Sequence, residues 1–236
     1  MIANSAAPLA ATSLLAALQL ADSFFPSGLY TQSHGMEAFV SAGVAGPAQV
    51  APLLASYLRH TAGPADGLAA RWAVRAAHAN DIGLVAAIDA RLDAGKLAAE
   101  PRAASRRCGG RVLLLGRELY PSPLLDEYAA LVAAGRAPGH QALALALLGA
   151  AAGLDEDTAA LIELHTFAVS LLGAALRLGA IDHADAQALL LGAQPAIAAA
   201  ADAHRHSHWH DIGGFAPQID VQQFRHRYAE MHMFAS

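Results

Sequence analysis

Four histidines at alternate positions, His204, His206, His208 and His210, are the residues whose type and spacing most directly suggest chemistry. Imidazole is a common ligand for nickel, zinc and copper. In an extended chain alternate side chains share a face, and in a helix the pairs 204/208 and 206/210 do, so either conformation offers two or more nitrogens to a metal. The spacing permits a site without specifying one. No Cys, Asp or Glu is interleaved, Arg205 adds repulsion, and a solvated His-rich segment with weak metal affinity has the same composition. His60, His78, His140, His165 and His183 stand singly at helix ends or faces, where hydrogen-bonded structural roles are expected. The single Cys108 excludes an intrachain disulfide and a Cys-based zinc site, and fits a reducing compartment. There is no GxSxG elbow, HExxH motif or GxxxxGK[ST] phosphate loop. A helical enzyme with a buried pocket therefore has no acid/base pair of informative spacing behind it.

The second group is the stretch DSFFPSGLYTQSHGMEAF, Asp22 to Phe39, which interrupts an otherwise plain helical chain. The first helix ends near Asp22, Pro26 forbids its continuation, and Gly28 permits a turn. Ser33 followed by Glu37 has the spacing to cap a helix starting at Gly35. Such a segment is a capped interhelical loop. Phe24, Phe25, Leu29 and Tyr30, however, put aromatic and aliphatic area on a loop of small polar residues, which is how loops that recognise partners are built.

These residues need elements to hold them, and apolar spacing is helical nearly throughout. Stripes at i, i+3 and i+4 include Leu14, Leu15 and Leu18; Leu53, Leu54, Tyr57 and Leu58; and Leu124, Leu125, Tyr128, Leu131 and Val132. Breakers separate them at Gly46-Pro47, Gly63-Pro64, Gly95, Pro121, Pro138-Gly139, Gly153 and Gly179. Runs of alternating β-branched and aromatic residues are absent. The pattern predicts an all-α single domain of roughly eight to ten helices with short loops. Asp155 to Leu178, acidic at its start and basic at its end, reads as a core or dimer helix. Gly109-Gly110 predicts a kink or break, since each Gly costs about 1 kcal/mol against Ala inside a helix. Residues 1–203 form the helical domain, and 204–236 form a His-rich segment and C-terminal tail.

Hydrophobic residues make up 55% of the chain and charged residues 15%, with a net charge of -5. An apolar, mildly acidic chain with scattered Lys and Arg has no basic footprint for nucleic acid, and such a surface calls for protein partners. The N-terminal apolar run lacks a preceding Lys or Arg and reads as the first helix rather than a secretory signal. Phe167 to Ile181 is too short to span a bilayer and contains Arg177. The expectation is a cytoplasmic protein with no membrane contact.

Asp22, Pro26, Gly28, Tyr30, Thr31, Ser33, Gly35, Met36, Glu37 and Val40 fall in register with the pattern D-x-x-x-P-x-G-x-[FY]-[ST]-x-S-x-G-[LM]-E-x-x-[VI]. In these residues the chain resembles the UreF family of urease accessory proteins. Weaker similarity runs through Ser105 and Gly109, through Ala175 to Gly179 with Gln187, and through a tail of Pro217, Asp220, His226 and Met233 to Ser236. The tail departs from the family in having Arg227 after His226 and His232 where Arg is usual. The resemblance implies an all-α, dimerising, non-enzymatic assembly factor. Such proteins bind the accessory protein UreD (also called UreH), recruit and regulate the GTPase UreG, and dock on apo-urease during nickel delivery. It implies no tightly bound cofactor, with Ni²⁺ at most in transit. Phe25, Pro26, Gly28, Tyr30, Ser33 and Glu37 in the loop, and His226, His232, Met233, Phe234 and Ser236 in the tail, are by this resemblance the candidate partner contacts. The tail is expected to order only in a complex. The alternative is a helical nickel- or zinc-binding protein that works through His204 to His210.

Overall fold

The computed structural model describes residues 10–226, with side chains through Phe224. The α-helical segments are α1 (Ala11–Ala21), α2 (Met36–Ser41), α3 (Pro47–Tyr57), α4 (Leu68–His78), α5 (Ile82–Gly95), α6 (Ala99–Leu119), α7 (Pro123–Ala133), α8 (Gln141–Ala151), α9 (Glu156–Arg177), α10 (His183–Ala203) and α11 (Pro217–His226). No strand occurs among the described residues. Segments α3 and α4 are two ends of one rod, joined by a π-helical stretch at Leu58–Gly67, so the described residues form ten continuous helices. The all-α expectation holds.

Local sequence explains most helix ends. The Asp155 side chain accepts the amide of Thr158 at 2.7 Å, and Asp182 and Asp185 form a reciprocal capping box at the start of α10. Each such cap is worth about 1 kcal/mol. The Gly63-Pro64 pair, which reads as a break, instead lies within the π-helical stretch. Gly109-Gly110 likewise leaves α6 unbroken. The reason is packing: a Cβ on Gly109 would sit 2.0 Å from the Gly139 carbonyl oxygen, so the glycine lets α6 approach the start of α8 closely.

The core has two lobes that meet along α9 and the π-helical stretch. One gathers Leu68, Val74, Ile88, Val112, Tyr128, Leu143 and Leu148 from α4 to α8. The other gathers Val50, Leu54, Tyr57, Leu164, Leu171, Ile197 and Ile219 from α3, α9, α10 and α11. In α9, Ala168, Ala174 and Ala175 are fully buried, because small side chains let neighbouring helices close on it. This helix is long and apolar enough to cross a membrane, but it is mostly buried inside the molecule. It is a core helix.

After Ala203 the chain returns to this body. Gly213 and Phe215 donate their amides to the carbonyls of Pro64 (3.1 Å) and His60 (2.9 Å) in the π-helical stretch, and Ile212 just before them is fully buried. Helix α11 then packs against α2.

Candidate functional site

The Asp22 to Val40 stretch is a tightly braced loop, Asp22 to Gly35, followed by the first residues of α2. The Asp22 carboxylate accepts the amide of Phe24 at 2.8 Å, turning the chain out of α1. Gly28 has φ +80°, which favours glycine, and a Cβ there would make ordinary contact with Arg111 Cδ at 3.5 Å and Cys108 Sγ at 3.6 Å on α6. A 3-10 turn at Leu29–Thr31 follows, closed by Thr31 Oγ1 donating to the Gly28 carbonyl at 2.8 Å. Gln32 Nε2 then donates to Cys108 Sγ at 3.0 Å. The His34 ring Nε2 lies 3.0 Å from Ser170 Oγ, while that hydroxyl donates to the Leu29 carbonyl at 2.9 Å. Ser170 has one proton and spends it on Leu29, so its oxygen accepts from His34, which fixes the Nε2–H tautomer. Burial lowers the His34 pKa to about 4 and keeps the ring neutral. Its carbonyl in turn accepts the Tyr57 hydroxyl.

Most of the row of polar residues thus serves the loop itself. Ser33 is fully buried and its hydroxyl accepts the Gly35 amide at 3.2 Å, so it closes a turn rather than capping α2. Helix α2 starts directly from Gly35, with φ +84° and no side-chain cap, and Glu37 is half-buried in its first turn. The two neighbouring phenylalanines part company: Phe25 is 6% exposed and belongs to the core, whereas Phe24 is 92% exposed. Pro26 is exposed, and Tyr30 is 65% exposed. Arg177, at the end of α9, donates to the Tyr30 carbonyl and places its guanidinium 5.3 Å from the Tyr30 ring centroid. This cation–π contact holds an exposed aromatic ring in a fixed direction.

Beside Tyr30 lies a groove of about 390 Å³. Leu20, Phe25, Pro26, Leu145 and Val169 supply apolar wall, and Arg111 and Arg177 supply positive charge. On the other side of the same loop is a polar chamber of about 100 Å³, lined among others by His34, Asp66, Lys96, Ser105, Gln141 and Glu163. Lys96 Nζ pairs with Asp66 at 2.7 Å. Glu163 is buried in α9, accepts from Gln141 Nε2 at 3.1 Å, and has its pKa pushed up to about 8 chiefly by desolvation. Its carboxyl is therefore protonated at neutral pH. Sequence reading missed this chamber; the signal was Glu163 and Gln141 at positions of α9 and α8 that pack among apolar residues.

His140 confirms the structural expectation for single histidines. It is fully buried, with Nδ1 3.0 Å from Ser105 Oγ and Nε2 2.9 Å from Asp93 Oδ1.

His204, His206, His208 and His210 do not converge. Among the described residues no group of three or more His, Cys, Asp or Glu side chains is placed to hold a metal ion. The segment is instead fastened to α4: Trp72 Nε1 donates to the Ser207 carbonyl at 3.0 Å, and Arg75 donates to that of Arg205 at 3.0 Å. The His208 and His210 rings stack at 4.8 Å, and His208 Nδ1 accepts the His210 amide at 3.3 Å, which occupies one potential ligand atom. In the tail, His226 ends α11, while His232, Met233, Phe234 and Ser236 lie outside the described residues.

Comparison with known proteins gives a consistent result. Residues 44–194 match the sequence profile of the family described as UreF. A urease accessory protein UreF of Paenarthrobacter aurescens (strain TC1) is 34% identical over 229 residues, covering 97% of this chain and 100% of the relative. One from Arthrobacter sp. (strain FB24) is 34% identical over 94% of this chain and 96% of the relative. One from Lachnoclostridium phytofermentans is 32% identical over 93% of this chain and 96% of the relative.

Proposed function

From the premise that this chain belongs to the UreF family, we propose that it is a non-catalytic scaffold in assembly of the nickel centre of urease. It binds UreD (UreH), recruits and regulates the GTPase UreG, and docks on apo-urease, acting as a cytoplasmic homodimer. Ni²⁺ is cargo in this reading, not a resident cofactor. The observation that carries it is identity to urease accessory proteins along nearly the whole chain. The loop geometry supports it. A scaffold must offer a recognition surface whose ordering entropy is already spent, and the Tyr30 loop is braced by Ser170, Cys108 and Tyr57 from three different helices while its aromatic tip faces solvent. Exposed aromatics backed by Arg are the commonest energetic anchors of interfaces.

The test is co-expression with tagged UreD and UreG from the same source, followed by size-exclusion chromatography with and without GTP and Mg²⁺. A stable complex containing this chain is expected. Tyr30→Ala should weaken the complex while leaving the helical circular-dichroism spectrum unchanged. If the chain elutes free of both proteins, the scaffold role is wrong.

A further inference from the structure

The groove beside Tyr30 has a charge pattern that the rest of the chain does not lead one to expect. The chain carries a net charge of -5, yet this groove is served by two guanidinium groups. Arg111 Cδ lies 3.5 Å from where a Cβ on Gly28 would sit, and Arg177 bonds the Tyr30 carbonyl two residues on. Along a 3-10 turn, at roughly 2 Å of rise per residue, the two arginines flank the same stretch of loop. The acidic residue in the lining, Asp22, already has a carboxylate oxygen engaged by the Phe24 amide. Arg111 is exposed and makes no hydrogen bond or ion pair among the described residues. Leu145 and Val169 form apolar wall beneath these charges.

We propose that this groove docks an acidic, apolar segment of a partner protein, whose carboxylate is received by Arg111, beside the positive charge of Arg177, while its bulky side chains cover Leu145, Val169 and the Tyr30 ring. The inference rests on the scaffold reading above and specifies the chemistry of one of its contacts. The physical case is complementarity. A guanidinium presents a planar fork that fits a carboxylate bidentately, and an apolar wall beside it excludes water and strengthens that pairing. Lysine lacks the fork, and an isolated surface arginine lacks the wall. Association should accordingly be steered by charge and held by apolar burial, with the arginines acting mainly on the on-rate and its salt dependence.

The experiment measures association of the full chain with UreD, and with UreD plus UreG, by biolayer interferometry at 50 and 500 mM NaCl. Arg111→Glu should slow association about tenfold or more at low salt, with the difference shrinking at high salt, while Arg111→Lys stays within about threefold. Arg59→Glu, a reversal at another exposed arginine that lies outside the groove, should leave the rate unchanged. Circular dichroism and thermal midpoint of Arg111→Glu should match the parent, because this side chain makes no hydrogen bond or ion pair among the described residues. Equal rates for Arg111→Glu and the parent, or an equal loss from Arg59→Glu, would overturn the docking proposal while leaving the scaffold reading intact. Loss of self-association alone, with partner rates unchanged, would overturn it in favour of a second copy as occupant. Absence of any binding by the parent would instead remove the scaffold reading on which it stands.

Discussion

Arg71, only 1% exposed on α4, donates to the Asp157 carboxylate in the first turn of α9. Its other amino group donates to the Ala201 carbonyl at 3.1 Å, so one guanidinium ties α4, α9 and α10 together. Asp157 also receives Arg205, and Arg75 binds Glu156 through two bonds of 2.6 Å, which extends the clamp to the segment carrying the histidines. Burial pushes the Asp157 carboxyl up, but the bonds from Arg71 and Arg205 outweigh it and hold the carboxyl below its usual range. Removing the acid leaves the buried Arg71 charge with only the longer contact to Glu156 at 3.5 Å and the Ala201 carbonyl, whereas replacing the arginine by an apolar side chain leaves no buried charge. Asp157→Ala should therefore cost about 3 kcal/mol and Arg71→Met distinctly less, about 1 kcal/mol. Urea unfolding followed by circular dichroism checks this, and equal losses would contradict the clamp.

The two adjacent glycines of α6 should respond in opposite directions. Gly109→Ala drives a methyl into the Gly139 carbonyl and the His140 backbone, at 2.0 and 2.8 Å. Neither backbone can yield cheaply, and a loss of about 2–4 kcal/mol is expected. Gly110 faces open space, so Gly110→Ala should stabilise by about 0.5–1 kcal/mol through helix propensity alone. Thermal midpoints moving in the same direction would refute this account of α6.

Glu163 should give stability a distinctive pH dependence. Its pKa is about 8 in the folded chain against 4.5 in the unfolded reference. The folded state therefore keeps a proton that the unfolded state releases. This group's contribution is most favourable below pH 4.5 and declines as pH rises through the window up to 8. Glu163→Gln keeps an acceptor for Gln141 and has no charge to bury. It should match the parent near pH 4.5 and exceed it by about 1–3 kcal/mol at pH 8. Parallel stability profiles for the two proteins would show that Glu163 does not titrate as described.

Gly214 decides whether the segment after α10 stays on the body. A Cβ there would lie 2.8 Å from the His60 carbonyl oxygen and from Thr61 Cα in the π-helical stretch. Gly214→Ala should loosen this attachment at a cost of about 1–3 kcal/mol. Hydrogen exchange at the Phe215 amide, which bonds the His60 carbonyl, should accelerate while amides in α8 stay protected. Unchanged protection at Phe215 would show that the strap tolerates a side chain.

Sequence alone determined the helical class, the ends of most helices and the place where the chain departs from plain helix. These are local matters: apolar spacing, acidic caps such as Asp155 and Asp182, and breakers act over a few residues. The recognition of a family rested on the Asp22 to Val40 spacing, which is local as well. Only the tertiary structure decided what each of those residues faces. Phe24 and Phe25 are adjacent and identical in type, yet one is solvated and the other buried, because Phe25 alone meets the packed neighbours of α1. Gly109 reads as a helix breaker, yet it serves a contact thirty residues away at Gly139. Four alternating histidines permit a ligand set without specifying one, and bonds from Trp72 and Arg75 to the same segment lay it along α4. Glu163 and Gln141 are unremarkable in sequence and meet only because α8 packs on α9. Propensity and spacing act within one or two turns, while burial, close approach and charge pairing depend on residues brought together from distant parts of the chain. That difference in range separates what could be read from the sequence from what could not.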